Sequence, residues 1–164
     1  MPYIQTSRLT LVTFTTELMQ AAITDQLELA KITPYKVADG YPSEEYKEII
    51  PYKIKRYSEY HCENEWEGII IHNESQTIMG DMGFRVRHEI EDELELGYSI
   101  APDFQGFGFA TEMAQAIVGW GLKQPGIIKI VANCDASNMA SVRVLEKAGL
   151  KQVKENNNKI HWTT

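Results

Sequence analysis

The sequence predicts an α/β (α+β) domain built on a mixed, mostly antiparallel sheet of about seven strands flanked by helices. Three observations carry this expectation. Short runs of β-branched and apolar residues, some alternating with polar ones, recur at residues 8–14, 68–72 and 77–87, as strands require. A strand, helix, strand order spans residues 94–134, and such a crossover makes the two strands parallel when they are neighbours. The chain has 164 residues, so residues 1–164 are expected to form one domain, and chains of this size bury about 70% of their unfolded surface.

Residues 8–14 make the first strand. Thr16 is placed to cap a helix from Glu17, with Leu18, Ala21, Ala22 and Leu29 on one face. Residues 33–42 contain two prolines, a glycine and an aspartate and read as a loop. Ser43 then caps a second helix with Glu44 and Glu45 in its first turn and a stripe of Tyr46, Ile49, Ile50, Ile54 and Tyr57. Pro51 lies inside that stripe and predicts a break or kink. Residues 68–72 and 77–87 are strands around a turn, with Gly80 and Gly83 as bulge sites, and the strand ending at Ile100 follows a charged link. The strongest pattern comes next. Phe109, Met113 and Ile117 recur at every fourth position, as do Ala110, Ala114, Val118 and Leu122, and Pro125-Gly126 ends this helix. Residues 127–134 form another strand, residues 138–148 a last helix stopped by Gly149, and residues 151–154 and 159–163 a final hairpin.

Charge and cysteine content narrow the class. A net charge of −7 argues against a nucleic-acid surface and is compatible with a cationic partner. Cys62 and Cys134 have no CxxC spacing, no apolar run is long enough for a membrane span, and the N-terminus lacks a signal pattern. A cytoplasmic protein without nucleic-acid or membrane partners is expected, as a monomer or homodimer. The four histidines show no metal-ligand spacing, so no metal site is expected.

Between the strand and the best-patterned helix lies Gln105-Gly106-Phe107-Gly108-Phe109-Ala110. Unpaired N–H groups at a helix start, with glycines that admit close approach, suit a phosphate. The same string also occurs as a tight turn. No Walker lysine follows it and the third glycine of a dinucleotide fingerprint is missing. A second motif sharpens the reading: Asn138-Met139-Ala140-Ser141, then Lys147-Ala148-Gly149-Leu150, after the next strand.

Together the motifs resemble the acyl-CoA site of the GCN5-related N-acetyltransferases, in particular the branch that includes the ribosomal-protein N-terminal acetyltransferases. Phe109 stands for the usual Tyr and Leu150 for the usual Phe, and Thr6 to Leu11 looks like that branch's opening. The resemblance implies acetyl-CoA as cosubstrate, with its pyrophosphate on the loop of Gln105, Gly106, Phe107, Gly108, Phe109 and Ala110. It implies main-chain contacts from Tyr98, Ser99 and Ile100 to pantetheine, in a gap where their strand splays from the one through Cys134, and a further contact from Asn138. Many members place a Tyr seven residues after the Asn to protonate the CoA thiolate, but Leu145 stands there. Ser141 is the substitute donor by resemblance, or an ordinary helix serine.

An amine acceptor needs a general base. Glu93 and Glu95 share one strand face, and Glu95 is the candidate base, or a solvated edge residue. The cleft walls are expected from residues 33–65 and the last hairpin. Glu44, Glu45, Glu48, Glu59, Glu63 and Glu65 are expected to form an acidic rim, and Tyr46, Tyr52, Tyr57 and Tyr60 either line the cleft or pack. The implied function is acetyl transfer to a primary amine, on a peptide or protein N-terminus or a small polyamine-like molecule. The alternatives are a catalytically silent CoA-binding regulatory module and a nucleotide-binding protein.

Overall fold

The computed structural model describes residues 3–164. Strands β1 (Ile4–Gln5) and β2 (Leu9–Thr13) precede helices α1 (Thr16–Thr24) and α2 (Gln26–Ile32), strand β3 (Lys36–Val37) and helix α3 (Glu44–Glu59). Strands β4 (Glu67–His72), β5 (Thr77–Val86) and β6 (Glu93–Ile100) follow, then α4 (Phe109–Gly121), β7 (Lys129–Asp135), α5 (Met139–Lys147), β8 (Lys151–Asn156) and β9 (Lys159–Thr163). All nine strands join one sheet in the order β1-β2-β4-β5-β6-β7-β9-β8, with β3 set against β5. Seven have five or more residues, and these are the ones that the sequence pattern predicts. The β6–β7 and β3–β5 pairs are parallel and the other pairs antiparallel, so the strand, helix, strand order is the predicted crossover.

Local differences from the predicted elements have local causes. Thr15, not Thr16, caps α1, its side chain accepting from the Leu18 N–H. The predicted long first helix is divided at Asp25, whose N–H closes α1 on the Ala21 carbonyl while its carboxylate caps α2 through the Leu27 N–H. Helix α3 runs unbroken through Pro51, which sits on its exposed side where the carbonyl left without a donor can meet water. Strand β3 lies in the predicted loop because β5 supplies it a backbone partner. The β4–β5 register shifts beside Gly80, leaving Met79 unpaired, whereas Gly83 sits in regular pairing. Both glycines mark close approaches: a Cβ at Gly80 would fall 2.3 Å from the Ser99 carbonyl oxygen, and one at Gly83 2.6 Å from that of Trp66.

Helix α4 buries Phe109, Met113, Ala114, Ile117 and Val118 as its periodicity predicts, while Leu122 ends the helix and is exposed. At Gly121 the helix backbone meets Phe84 and Ile130 so closely that a Cβ would come within 2.8 Å of the Phe84 ring. No helix among the described residues is long and apolar enough to cross a membrane.

Two features position the functional region. Pairing between β6 and β7 runs from Glu93–Lys129 to Leu96–Ala132 and then stops. Beyond it, β6 continues on β5 to Ile100–Gly80 and β7 continues on β9 to Asp135–Lys159, so the two strands part. The second feature ties the N-terminal segment to the glycine loop. Glu112, in the first turn of α4, accepts from the Thr6 hydroxyl (2.6 Å), the Arg8 N–H (3.0 Å), the Ser7 hydroxyl (3.1 Å) and the Arg8 guanidinium (2.7 Å). The same guanidinium donates to the Phe107 carbonyl at 3.0 Å and lies 4.5 Å from the Phe109 ring centroid. Glu112 therefore does more than offset the helix dipole from the first turn of α4.

Partial burial opposes the Glu112 charge, but bonds from Thr6, Arg8 and Ser7 outweigh it and hold the carboxyl at about 2, below its ordinary 4.5. A carboxyl depressed on folding contributes stability above its unfolded value and loses it as pH falls through the folded one. Glu112→Gln is therefore expected to lower Tm at pH 7, with the difference from wild type shrinking from about pH 4.5 to about pH 2 in thermal melts. A deficit independent of pH would show that the bonds act without the charge.

Candidate active site

The glycine loop begins where β6 ends. The Gln105 side chain donates to the Ile100 carbonyl at 2.8 Å, which ties the loop to the strand. Gly106 and Gly108 have φ of +83° and +80°, left-handed conformations that L side chains resist. A Cβ at Gly106 would meet nothing within 4 Å, so the loop is open to approach. Gly108 is the N-cap of α4, and the first intrahelical bond runs from the Glu112 N–H to its carbonyl at 3.0 Å. The N–H groups of Gly108, Phe109, Ala110 and Thr111 precede that bond and have no acceptor within the helix. The Phe107 side chain is exposed, whereas Phe109 packs against His72 and Phe104.

Across the parted strands, Asn138 caps α5 by accepting from the Ser141 N–H at 3.1 Å. The Tyr98 hydroxyl on β6 lies beside Ser141, is buried, and makes no hydrogen bond of regular geometry among the described residues. Burial raises its pKa, with neighbouring Ser141 acting in the opposite direction. Leu145, where many proteins with this motif pattern carry Tyr, is buried in the face of α5 that packs on the core. The structure therefore ties the glycine loop to the end of β6 through Gln105 and sets Ser141, with its cap Asn138, beside Tyr98.

The other face of the sheet holds a cavity of about 270 Å³ between α3 and strands β4 to β6. Tyr46, Lys53, Glu67, Asp81, Glu95 and Ser99 line it. A second cavity of about 260 Å³ continues along α3 past Tyr52, Arg56, Tyr57 and Glu63, sharing Lys53 and Glu67 with the first. Tyr46, Tyr52 and Tyr57 are cleft residues, while Tyr60 packs its ring at a tilt against His88. The last hairpin contributes none of the described residues lining either cavity.

The carboxylates in this cleft come mainly from the sheet. Glu63 is buried and bonded to Arg56 and His88, and Glu44 pairs with Lys47 on the surface, so neither forms a free acidic rim. Glu67 is 3% exposed and accepts from Lys53 Nζ (2.6 Å), the Tyr46 hydroxyl (3.0 Å) and the Tyr57 hydroxyl (3.2 Å). Burial and the Glu67 charge push both phenols above their ordinary range. Asp81 is also 3% exposed, and its Oδ2 accepts from the Ser99 hydroxyl at 2.5 Å. Burial and then Glu67 push the Asp81 carboxyl up to about 7, against the Ser99 bond and the Lys53 charge. The Tyr41 hydroxyl is buried beside it and makes no hydrogen bond of regular geometry among the described residues.

Glu95 is half-buried and accepts from Asn133 Nδ2 at 2.8 Å. The β5–β6 register is regular past Gly97, so Glu95 keeps the face that alternation predicts. Glu93 is buried and paired with Arg87 and Lys129, which gives it a structural role. The sequence reading missed Glu67 and Asp81. The signal for Asp81 is a lone acid inside the apolar run Ile78-Met79-Gly80-Asp81-Met82, a position where an unpartnered charge is costly.

Residues 8–151 match the family model described as the acetyltransferase (GNAT) domain. The chain belongs to the GNAT acetyltransferases. An uncharacterized N-acetyltransferase of Bacillus subtilis (strain 168) is 26% identical over 163 residues, covering 99% of this chain and 97% of that protein. A GNAT-family acetyltransferase from Bacillus anthracis superposes with a TM-score of 0.66 at 20% identity, over 99% of this chain and 98% of the other. A ribosomal-protein-S5-alanine acetyltransferase from Vibrio fischeri superposes with a TM-score of 0.69 at 14% identity, over 100% and 96%. GNAT enzymes take acetyl groups from acetyl-CoA. The open loop with first-turn N–H groups, the gap between β6 and β7 and the unpartnered Tyr98 hydroxyl fit that cosubstrate.

The Asp81 environment has a consequence for stability. A carboxyl raised on folding favours its neutral form in the native state, so stability falls as pH rises from its ordinary 3.8 through about 7. Asp81→Asn keeps an acceptor for Ser99 and cannot ionise. We expect a Tm above wild type at pH 8, with the gain fading as pH is lowered toward 4 in thermal melts.

Proposed function

We propose that this GNAT enzyme transfers acetyl from acetyl-CoA to a primary amine, on a peptide N-terminus or a small polyamine-like molecule. One observation carries the reading: the cleft opposite the parted strands is walled by the carboxylates of Glu67, Asp81 and Glu95, three acids against the two cations Lys53 and Arg85. Carboxylates in a confined cleft attract a cationic amine, and they do so less well as salt screens them.

On the cofactor side, the pyrophosphate is assigned to the loop of Gln105, Gly106, Phe107, Gly108, Phe109 and Ala110, through the N–H groups at the start of α4. Pantetheine is assigned to the main chain of Tyr98, Ser99 and Ile100 and to Asn138. A thioester emerging between β6 and β7 would meet the acceptor cleft near Ser99. Ser141, backed by the adjacent Tyr98 hydroxyl, is assigned as proton donor to the departing thiolate, replacing the Tyr for which Leu145 stands. The displaced Tyr also supports a second reading, a silent CoA-binding module. Binding of CoA without turnover of any amine would favour that reading.

Release of CoA thiol should be measured with peptide, polyamine, aminoglycoside and amino-acid acceptors. Amines are expected to turn over with kcat/KM falling as ionic strength rises, and reaction of hydroxyl acceptors alone would overturn the assignment. Ser141→Ala is expected to lower kcat on the order of 10²-fold with little change in the acetyl-CoA KM, because the bond strengthens only as charge develops on sulfur. A loss under about threefold returns Ser141 to helix packing.

A further inference from the structure

We propose that Asp81 is the general base of the amine acetylation, receiving the proton that the acceptor ammonium must lose before it attacks. This rests on the N-acetyltransferase reading above and assigns the base to a different carboxylate from the Glu95 expected on the sequence.

The geometry selects among three candidates. Glu67 is engaged by Lys53 and by the Tyr46 and Tyr57 hydroxyls, so its charge is compensated and its oxygens are occupied. Glu95 accepts from Asn133 and is half-exposed to water. Asp81 is buried in the cavity wall, forms no ion pair among the described residues, and takes its hydrogen bond from Ser99. The groups that face it are Tyr41 ahead of α3, Tyr46 and Lys53 on α3, Glu67 on β4 and Ser99 on β6, with Arg85 on its own strand and Arg56, Tyr57, Glu63 and Glu95 further along the cleft. Of the cations among these, Lys53 is paired with Glu67 and Arg56 with Glu63, and Arg85 is exposed. Burial and then like charge favour a proton on Asp81, while a base poised near neutral pH is still ionised in a useful fraction.

Position agrees with chemistry. Ser99 lies past the point where β6 leaves β7, and its hydroxyl is 2.5 Å from Asp81 Oδ2. Tyr98, the next residue on the strand, places its hydroxyl beside Ser141. Consecutive residues of β6 thus serve the two ends of the reaction on opposite faces. The Ser99 hydroxyl accepts a proton from the ammonium as it passes its own to Asp81. The neutral amine then attacks the thioester carbon; the C–N bond forms, the C–S bond breaks, and sulfur takes a proton from the Ser141 side. The ammonium loses two protons per turnover: one leaves Asp81 for solvent, and the other makes good the one given to sulfur.

The test is the pH dependence of kcat/KM with the best amine from the acceptor panel. Wild type is expected to show an ionisation near pH 7 below that of the amine. Asp81→Asn is expected to lose that ionisation and about 10²-fold in rate, with acetyl-CoA affinity unchanged by calorimetry. Ser99→Ala, which removes the bond that favours the carboxylate, is expected to move the ionisation to higher pH. Glu95→Gln is expected to keep it. Asp81→Asn within about threefold of wild type, or retaining the ionisation, would sink the base assignment and leave the N-acetyltransferase reading standing. A wild-type enzyme that binds acetyl-CoA and acetylates no amine overturns both.

Discussion

The arrangement of this enzyme depends on where two parallel strands stop pairing. Strands β6 and β7 are bonded for four residue pairs and then separate after Leu96 and Ala132. Each is held away from the other by a partner on its far side, β5 for β6 and β9 for β7. The buried Trp162 on β9 secures that side, its indole N–H donating to Cys134 Sγ at 3.2 Å. Backbone groups that leave a ladder must find partners elsewhere, because an unpaired buried amide is costly. A gap of this kind in the middle of a sheet is therefore a place for a ligand with amide groups of its own.

The glycine loop starts where β6 ends, and Gln105 ties it to the Ile100 carbonyl. Left-handed φ at Gly106 and Gly108 turns the chain from β6 into α4. Arg8 and Glu112 supply the anchoring that the glycines lack. The guanidinium bonds the Phe107 carbonyl and covers Phe109, and Glu112 draws Thr6, Ser7 and Arg8 onto the helix start. The first residues of the domain thus act on a loop about a hundred positions later.

On the opposite face, the cleft concentrates acids that the fold does not fully neutralise. Lys53 offsets Glu67, and no described cation pairs with Asp81. Burying Asp81 near Glu67 disfavours its ionised form and so works against stability at neutral pH. Such local destabilisation is common where chemistry requires a group whose affinity for protons is displaced from its solution value.

The sequence by itself determined the elements with strong local signals. The i+4 stripe of α4, the period-two strands, the caps at Ser43 and Asn138 and the glycine loop were all legible, because each is written in neighbouring residues. So was the family, since both motifs keep their spacing. What needed the tertiary structure was every contact between distant positions. Helix α1 ends where Asp25 offers a better backbone partner, β3 exists because β5 is beside it, and Glu112 is defined by residues more than a hundred positions away. The cleft is the clearest case. Glu67, Asp81 and Lys53 sit on three separate elements, and none is unusual in its own segment beyond the apolar neighbours of Asp81. Their electrostatics arise from mutual distance and exclusion of water, quantities that a one-dimensional pattern of residue types does not contain.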